Sequence, residues 1–391
     1  MTARVFIKAF SCVSAMGRAK HAHVRSLGSG LSDGMGASTA WRKNTAAAFI
    51  GSVDGELPPV RSAEHDTRNN RILQACLTDI DAELKATIAE IGRSRFAIVA
   101  GTSTSGIAEA EAALLRSPPG EISSDYEYSR QEFGSPAAFL ADLLGTTGPS
   151  FALSTACTSS TNAFISARRL LRHGLADAVL VVGADSLCRT TVEGFISLEA
   201  VSETLCQPMS AHRKGINIGE GAGVFLLSRE PGSIELLGVG ESCDAYHLSS
   251  PDPQGRGAES AMRAALRDAC LASDEIDYVN LHATGTIKND QMESLAMHRV
   301  FPQGVACSGT KALTGHALGA AGAIEAALCC LAITEDIIPP HVWDGEPDPT
   351  LPLLRLATVG QRFPQGARRI CMTNNFAFGG SNVSLIFGTA R

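Results

Sequence analysis

The sequence lacks the concentration of positive charge that nucleic-acid-binding proteins carry. Lys and Arg number 33 against 40 Asp and Glu, the formal net charge is −7, and no run of basic residues is present. Proteins that bind nucleic acid usually gather Lys and Arg on one face or along one helix. We therefore expect no nucleic-acid partner, while a local basic patch for an acidic protein stays compatible with the net charge.

Paired metal-binding cysteines are also absent, because the 11 cysteines include no C-x-x-C pair. Cys329 and Cys330 are adjacent, which is poor geometry for a disulfide or a zinc site. Others lie among apolar neighbours, where a thiol behaves as a small core side chain; examples are Cys76, Cys270, Cys307 and Cys371. We therefore expect no metal site and a reducing location, with the cytoplasm as the default.

Membrane-spanning and secretory segments are not evident. A bilayer-crossing helix needs roughly 18 or more apolar residues in succession. The longest apolar stretch, Gly319–Ile333, is interrupted by Glu325. Arg4 and Lys8 lie near the N-terminus, but no apolar core with a small-residue cleavage site follows them. We therefore expect no membrane span.

Familiar phosphate-binding and acyl-serine motifs are missing or incomplete. No Walker A sequence occurs, and the glycines of Gly219–Gly223 fail the G-x-G-x-x-G pattern and precede a predicted strand. Ser308–Lys311 fits S-x-x-K, but the companion S-D-N and K-T-G elements are absent. The sequence thus gives little support to a nucleotide site or a serine acyl-enzyme.

Short runs of β-branched and aliphatic residues alternate with longer stretches of helical spacing. Alternation of this kind indicates an α/β protein with largely buried sheets. The predicted strands are Phe96–Ala100, Ala178–Val182, Gly223–Leu227, Tyr278–Leu281 and Ile370–Thr373. The predicted helices are Asn70–Ile91, Ser159–His173, Glu259–Leu271 and Gly319–Thr334. A change in character near Arg229–Ser233 indicates two parts.

Cys157 follows a strand-like run that ends at Ser154 and precedes the predicted helix Ser159–His173. At the start of a helix, free N–H groups and the helix dipole favour a thiolate. The same N–H groups can stabilise an oxyanion on an acyl group carried by the sulfur. Cys157 is therefore a candidate nucleophile, and a buried structural cysteine is the alternative that this segment leaves open.

Two histidines lie in glycine-containing loops. His282 follows the predicted strand Tyr278–Leu281, a position where α/β proteins often place catalytic groups. Lys311 and His316 lie in a loop before the apolar helix that contains Glu325. A buried carboxylate needs a partner, for which Lys311 is a candidate, and a nearby lysine would favour a neutral imidazole. For His282 alone, a core histidine is the alternative.

The segment Thr373–Val383 reads as a turn between two strands. Its paired glycines permit positive φ and a close approach of the backbone to a ligand. Phe376 and Phe378 could form the wall of an acyl pocket, or could simply pack in the core.

These segments occur in one order: the Cys157 segment, N-x-H-x-T-x-T around His282, K-A-x-T-G-H-x-x-G-A-A-G from Lys311, and F-G-G-S-N at Phe378. Together they resemble the elongating β-ketoacyl-acyl-carrier-protein synthases, from about Arg4 to Phe387. One cysteine with two histidines fits decarboxylative condensation; a Cys-His-Cys set would suggest a thiolase and Cys-His-Asn an initiating synthase.

The resemblance implies a thiolase fold, in which two similar α/β halves form a five-layered αβαβα core. Residues 1–230 would be the half with the nucleophile, and residues 231–391 the half with the catalytic histidines. It further implies an acyltransferase that works as a dimer, either a homodimer or a heterodimer with a related ketosynthase-like subunit. Its partner would be an acyl carrier protein, whose phosphopantetheine arm belongs to the substrate, so no separate cofactor is expected.

Matched positions imply residue roles. Cys157 would take the acyl chain, and His282 and His316 would hydrogen-bond the malonyl thioester as decarboxylation forms an enolate. Lys311 and Glu325 would form a supporting electrostatic network. The substrate-binding positions implied by the resemblance are Thr284 and Thr286 for the pantetheine arm, Phe378 as a gate, and His247 and Ser249 near the malonyl entrance; the backbone N–H groups of Cys157 and Phe378 would form an oxyanion hole.

The sequence departs from the family pattern at two places near these motifs. Ala283 replaces the usual glycine after the active histidine, and Gln207–Ser210 replaces a stretch that usually carries Arg and Asp. The second change casts doubt on the usual carrier-protein docking patch. It favours a synthase of a specialised pathway, such as type II polyketide or aryl polyene synthesis, over general fatty-acid elongation. A non-catalytic chain-length-determining partner is the third reading, which the presence of Cys157 disfavours.

Overall fold

The computed structural model describes residues 4–41, 47–366 and 368–390. The strands are β1 Phe6–Val13, β2 Met35–Ser38, β3 Ala48–Gly51, β4 Phe96–Gly101, β5 Ser150–Leu153, β6 Ala178–Asp185, β7 Ile218–Gly219, β8 Gly221–Ser228, β9 Ile234–Cys243, β10 Tyr278–Leu281, β11 Ala306–Gly309, β12 Arg355–Leu356, β13 Ile370–Phe376 and β14 Ser381–Thr389. The helices are α1 Lys20–Ser29, α2 Arg68–Leu77, α3 Asp81–Ile91, α4 Ile107–Arg116, α5 Tyr128–Gln131, α6 Ser135–Leu144, α7 Ser159–Arg172, α8 Arg189–Ser197, α9 Arg256–Ala269, α10 Ile287–Val300, α11 Lys311–Thr314 and α12 Ala321–Glu335.

Eleven strands form one continuous ladder in the order β12-β11-β10-β13-β14-β9-β1-β8-β6-β4-β5. The order β1-β8-β6-β4-β5 repeats as β9-β14-β13-β10-β11: in both sets the first strand is followed by the fifth, fourth, second and third. The directions also repeat, with two antiparallel pairings followed by two parallel ones. Among the described residues, direct strand pairing between the two sets is limited to Phe6 opposite Glu235 and Ile7 opposite Ile234. The chain thus contains two α/β units of the same topology.

Helices form three layers around these two strand sets. The helices α7 and α12 lie in the middle, since each contacts strands of both sets and they contact each other. On the outer face of the first set lie α2 and α6, and on that of the second lies α9, which also contacts α10. This arrangement is the predicted five-layered αβαβα thiolase-like architecture.

The helix α12 is apolar on all sides, and this pattern explains its central place. A helix that is hydrophobic all round is stable only when every face is buried. Thirteen of its 15 residues are buried, from Ala321 to Ile333. By length and composition the segment Leu318–Glu335 could cross a membrane, but 89% of it is buried inside the protein, as in the core helix of a folded domain.

The predicted strands and helices are present with small shifts of their ends, except for one division. The predicted helix Asn70–Ile91 is split into α2 and α3 by a 3-10 turn at Thr78–Ile80. Asp79 in that turn accepts a hydrogen bond from Ser11 Oγ of β1 at 2.8 Å, which ties the break to the sheet. One expected core thiol, that of Cys270, is exposed, because this residue ends α9 in a left-handed conformation.

The carboxyl ends of the parallel strands position the functional loops. The chain leaves β5 towards Cys157, β10 towards His282, and β11 towards Lys311 and His316. In open α/β sheets, ligands bind in the crevice outside the carboxyl ends of the strands. Because the two strand sets share the middle helix layer, loops from both sets meet at one end of that layer.

Candidate active site

Cys157 lies in a tight connection between β5 and α7. Ala156 has a φ of +50°, a left-handed conformation that is unfavourable for a residue with a side chain. Ser159 stabilises this turn: its Oγ accepts from the Thr155 N–H at 2.9 Å and donates to the Ala156 carbonyl at 2.6 Å. The turn places Cys157 two residues before the start of α7, with only 6% of the residue exposed.

Main-chain hydrogen bonds to Glu293 hold the turn at His282. The N–H groups of His282 and Ala283 donate to the two carboxylate oxygens of Glu293 on α10, each at 2.7 Å. Burial raises the pKa of Glu293 to about 7, while these two N–H donors oppose the rise. Ala283 has a φ of +37°, so the turn after His282 keeps a conformation that glycine adopts more easily.

His316 is fixed by the strand that crosses beneath its loop. Its N–H donates to the Asn217 carbonyl at 2.7 Å, and its carbonyl accepts from Gly219 at 2.9 Å. A Cβ on Gly219 would lie 2.4 Å from the Thr314 carbonyl oxygen, so only glycine permits this approach. Both main-chain bonds restrict where the imidazole can point.

The structure brings the three predicted catalytic side chains together. Donor atoms of Cys157, His282 and His316 all lie within 4.8 Å of one another, and all three residues are buried. The imidazole rings are 5.2 Å apart at an interplanar angle of 85°. Nδ1 of His316 is buried without a hydrogen-bond partner in the described part of the chain. A buried polar atom without a partner is available to hydrogen-bond a further group.

Lys311 and Glu325 lie behind His282 in a buried network. Lys311 Nζ donates to Glu325 Oε1 and to the His282 carbonyl, both at 2.5 Å, and lies 3.5 Å from His282 Nδ1. The second oxygen of Glu325 accepts from Asn375 Nδ2 at 2.6 Å. An ammonium group can only donate, so the contact with Nδ1 assigns the proton of a neutral His282 to Nε2.

Both imidazoles are neutral in this environment. Burial lowers the pKa of His282 well below its usual value, and the charge of Lys311 and the neighbouring His316 lower it further. Burial also lowers the pKa of His316 well below its usual value, with Lys311 as the second cause. Lys311 thus lowers the pKa of both histidines as expected, but burial away from water is the larger cause for both rings.

The protonation state of Cys157 differs from the expectation from the sequence, which was a favoured thiolate. Burial raises the pKa of this thiol to about 12, and the positive charge of Lys311 opposes the rise. The start of α7 favours an anion, but a helix terminus supplies only about 0.3–1 kcal/mol in most settings. Cys157 therefore keeps its proton at neutral pH, and a neighbouring neutral imidazole is the base within reach.

The same three side chains have the spacing of a possible metal site. One Cys and two His supply only three ligand atoms, and metals bind the deprotonated thiolate. Here the thiol is held protonated and the ammonium of Lys311 lies beside His282, which opposes a divalent cation. The donor set therefore fits acyl transfer better than metal binding.

A cavity of about 310 Å³ leads to these groups. Five of the predicted substrate-binding residues line it: Thr284, Thr286, Phe376, Phe378 and Ser249. The exception is His247, which is exposed on the adjoining loop, where its Nδ1 accepts from the Ser249 N–H at 3.1 Å. It thus supports the loop that carries Ser249.

Several residues of the cavity wall were not predicted from the sequence. Phe195 on α8 stacks on Phe378, with the ring centroids 5.6 Å apart and an interplanar angle of 28°. Further unpredicted members of the wall include Leu198, Lys214, Ile216, Ile287 and Lys288. Ile287 and Lys288 directly follow the motif that ends at Thr286, whereas the others reach the cavity through the tertiary packing of α8 and of the segment before β7.

The unusual stretch Gln207–Ser210 is mostly inside the protein. The N–H of Met209 donates to buried Asp290 at 2.7 Å, and the carbonyl of Pro208 faces His341 Nε2 at 2.9 Å. Ser210 is fully buried and donates to Asp344 at 3.0 Å. These contacts give the stretch a structural role and leave Gln207 as its most accessible residue.

Family comparisons agree with this geometry. The chain matches a family model described as "Beta-ketoacyl synthase, N-terminal domain" over residues 58–232. A second, described as "Beta-ketoacyl synthase, C-terminal domain", matches residues 234–343.

Individual relatives are similar to different extents. Nodulation protein E of Rhizobium meliloti is 39% identical over 257 residues, which are 62% of this chain and 63% of that protein. The match to this relative therefore spans less than two thirds of its length. A 3-oxoacyl-[acyl-carrier-protein] synthase 2 of Vibrio harveyi is 33% identical over 326 residues, or 77% of each chain.

Solved structures resemble the whole chain. A structure described as a ketosynthase (ApeO) in complex with its chain length factor (ApeC) from Xenorhabdus doucetiae matches with a TM-score of 0.94 and 44% identity, over 99% of this chain and 98% of that chain. The ishigamide ketosynthase/chain length factor matches over the full length of both chains, with a TM-score of 0.89 and 28% identity.

Proposed function

This chain belongs to the β-ketoacyl synthase family, and from this premise we propose that it catalyses decarboxylative condensation between an acyl group on Cys157 and a malonyl group on an acyl carrier protein. One observation carries the proposal: a buried thiol and two neutral imidazoles, supplied by loops of both strand sets, converge within 4.8 Å at the closed end of one cavity. We further propose that no resident cofactor takes part, because the pantetheine arm arrives with the substrate.

The first proposed step loads the acyl chain. The sulfur of Cys157 attacks the thioester carbonyl of the donor, a new C–S bond forms, and the bond to the pantetheine sulfur breaks. Because burial holds the thiol pKa near 12, a neutral imidazole takes the proton and passes it to the departing thiolate. Backbone N–H groups of Cys157 and Phe378 are proposed to stabilise the oxyanion that forms on the way.

The second proposed step creates the carbon nucleophile. The bond between the malonyl methylene and its carboxylate breaks, CO2 leaves, and the electron pair becomes an enolate. Nε2–H of His282 and an N–H of His316 would donate to the enolate oxygen as its charge develops. A neutral imidazole can donate one hydrogen bond without bringing a buried charge, and the lowered pKa values of both rings fit that role.

The third proposed step joins the two chains. The enolate carbon attacks the thioester on Cys157, a C–C bond forms, and the C–S bond to Cys157 breaks. The product stays on the pantetheine arm, and the released thiolate recovers one proton from solvent. One proton is therefore consumed for each CO2 released, and Cys157 returns to its starting state.

A catalytic role is favoured over that of a non-catalytic chain-length partner. The nucleophile, both imidazoles and the Lys311–Glu325 pair are all present in one enclosed site. A subunit that only shaped chain length would not need a thiol with this access and these neighbours. The resemblance to ketosynthase/chain length factor structures supports membership of such an assembly without deciding the subunit.

We propose a specialised pathway of the type II polyketide or aryl polyene kind, in the cytoplasm. The 44% identity with a chain of a ketosynthase/chain length factor complex supports this assignment. Its partners would be an acyl carrier protein and a second ketosynthase-like chain, identical or related. The strand β5 lies at one end of the sheet, and Phe151 on it is 37% exposed, so this edge is a candidate for the dimer contact.

Intact-mass analysis of acyl loading tests the nucleophile. Cys157→Ala should abolish covalent loading from an acyl carrier protein, whereas Cys243→Ala, which removes an exposed thiol, should load normally. Loading that persists in Cys157→Ala would reject the assignment.

Release of CO2 tests the histidine role separately. His316→Ala should still accept the acyl group but should fail to release CO2 from malonyl carrier protein. His298→Ala, a change at an exposed histidine of α10, serves as the matched control. Normal CO2 release by His316→Ala would remove His316 from the mechanism.

A further inference from the structure

Two lysines line the cavity at positions that the motifs do not mark. Lys214 lies just before β7, and Lys288 lies in the first turn of α10. Both are exposed, while Cys157, His282 and His316 are buried. The lysines therefore lie at the solvent end of the cavity, and the proposed chemistry lies at its closed end.

A main-chain hydrogen bond joins the two segments that carry the lysines. The N–H of Gly215 donates to the Gly285 carbonyl at 3.0 Å, which joins the segment of Lys214 to the turn that contains Thr284 and Thr286. Lys288 follows the same turn by two residues and donates to Ser250 Oγ at 2.9 Å. Both cations thus flank one turn of the cavity wall.

Neither lysine is neutralised by an ion pair with another described residue. Among the residues that line the cavity, Glu199 is the one carboxylate, and it forms no ion pair with either lysine. Asp290 in the first turn of α10 is buried, and its oxygens accept from the backbone N–H groups of Met209 and Gly285 at 2.7 and 3.1 Å. The entrance therefore carries excess positive charge in a chain whose net charge is −7.

The start of α10 would add to the attraction of Lys288 for an anion. The start of a helix bears partial positive charge, which disfavours a cation in the first turn. A bound anion would reverse this effect, because it would be attracted by the lysine and by the helix start together. Lysine is suited to such a role because its ammonium donates up to three hydrogen bonds.

We propose that Lys214 and Lys288 form an anion site at the cavity entrance that binds the phosphate of a pantetheine-type substrate. This inference rests on the proposed function, which places the thioester of that substrate at Cys157. A phosphorylated pantetheine arm carries its anion at the end opposite the sulfur, which matches a cavity with exposed lysines and a buried thiol. The carboxylate of a malonyl group does not fit, since it must lie beside the buried imidazoles when CO2 leaves.

Direct binding of 4′-phosphopantetheine and of pantetheine, measured by calorimetry, tests this site without any need for turnover. The wild-type protein should bind the phosphorylated form about tenfold more tightly, as expected for charge-assisted hydrogen bonds to one phosphate. The Lys214→Gln/Lys288→Gln double variant should lose this preference and keep its affinity for pantetheine. Lys8→Gln, which removes an exposed lysine on β1 outside the cavity, should behave as the wild type.

Equal binding of the two probes by the wild-type protein would overturn the proposal, as would a preference retained by the double variant. Turnover then distinguishes the source of the phosphate. A higher KM of the double variant for the acyl carrier protein identifies the carrier arm, and a higher KM for acyl coenzyme A identifies free coenzyme A. An unchanged KM for both would also contradict the site.

Failure of this inference can be separated from failure of the proposed function. An acyl-pantetheine thioester, which has no phosphate, should load Cys157 equally in the wild-type protein and in the double variant. Loading without phosphate discrimination would reject the lysine site and retain the condensing function. Phosphate discrimination without loading would reject the function and retain the site.

Discussion

Ala283 shows how one residue can keep a strained turn next to a buried histidine, His282. Its φ of +37° lies in the left-handed region, and its N–H is held by Glu293. Left-handed geometry costs a residue with a Cβ about 1–2 kcal/mol, whereas glycine adopts it freely. The family pattern has glycine at this position, so the chain carries strain that a glycine would relieve.

Ala283→Gly should therefore cost less stability than a glycine substitution normally does. Relief of about 1–2 kcal/mol of strain offsets the added entropy of the unfolded glycine chain and the loss of one buried methyl group, so we expect a change of no more than about 0.5 kcal/mol in the free energy of unfolding, measured with urea. Ala86→Gly on the exposed surface of α3 is the control and should destabilise by about 1 kcal/mol. A loss in Ala283→Gly that exceeds the loss in Ala86→Gly would show that the turn is not strained.

The two buried imidazoles of His282 and His316 should make stability depend on pH. Their pKa values are lower in the folded chain than in the unfolded chain, so the unfolded chain binds more protons in mild acid. The stabilisation from the neutral rings is present above the unfolded pKa of about 6.5 and is lost as the pH falls below it. The wild-type protein should thus lose more stability between about pH 7 and pH 5 than His282→Gln/His316→Gln does.

Denaturant midpoints across this pH range provide the measurement. His298→Gln changes an exposed histidine and should leave the wild-type pH dependence unaltered. Parallel curves for the wild-type protein and the double variant would contradict the assignment of neutral, desolvated rings.

At the scale of elements, α12 depends on glycines in the strand beneath it. A Cβ on Gly223 of β8 would lie 2.6 Å from the backbone carbonyl carbon of Ala323 and 2.7 Å from its oxygen. Backbone atoms cannot rotate away as a flexible side chain can, so the helix would have to move. The close approach of α12 to the sheet therefore requires a residue without a side chain at this point.

Gly223→Ala should destabilise the protein by about 1–3 kcal/mol or more, since an added methyl group overpacks the middle layer. Gly28→Ala in α1 provides the opposite case, because no atom lies within 4 Å of the added Cβ and alanine favours the helix. Urea unfolding of both variants gives the comparison. Equal stability of Gly223→Ala and the wild-type protein would mean that the middle layer can shift at little cost.

The sequence predicted elements well where one physical pattern dominates. Buried strands such as Ala178–Asp185 are continuous apolar runs, and α12 is apolar throughout, so neither has a competing interpretation. The break between α2 and α3 was missed because its cause is a contact with β1, which lies 68 residues earlier in the chain. Local periodicity contains no information about such a contact.

At the scale of the whole molecule, the candidate site divides into a part that the sequence reveals and a part that it does not. Cys157, His282 and His316 lie in glycine-containing or small-residue segments with recognisable spacing, so their loops could be identified before their proximity was known. Phe195 and Lys214 belong to the same cavity, but they reach it only through the packing of α8 and β7. Wall residues of this kind require the fold.

The exposed edge of the sheet at β5 is the candidate dimer contact, and a substitution there tests it. Phe151 is 37% exposed at this edge, and Phe133 and Leu143 nearby in the chain are 45% and 46% exposed. Phe151→Glu should shift the purified protein from dimer to monomer in light scattering, because a charge on an edge strand opposes pairing with another chain. A change in mass is expected whether the partner is identical or related.

Leu353→Glu, a change at an 84% exposed residue beside β12 at the opposite edge of the sheet, is the control and should leave the mass unaltered. A wild-type protein that is a fully active monomer would contradict the assembly, and an unchanged dimer in Phe151→Glu would place the contact elsewhere.

The repeated topology has one more consequence. The sulfur comes from the first unit and both imidazoles come from the second, while the direct strand pairing between the units covers only two positions, at Phe6 and Ile7. Either unit expressed alone would expose one side of its central helix and would hold only one component of the reaction. The chain can be divided within the exposed stretch Arg229–Pro231. Condensation activity that appears when the two fragments are mixed would then report that they have associated.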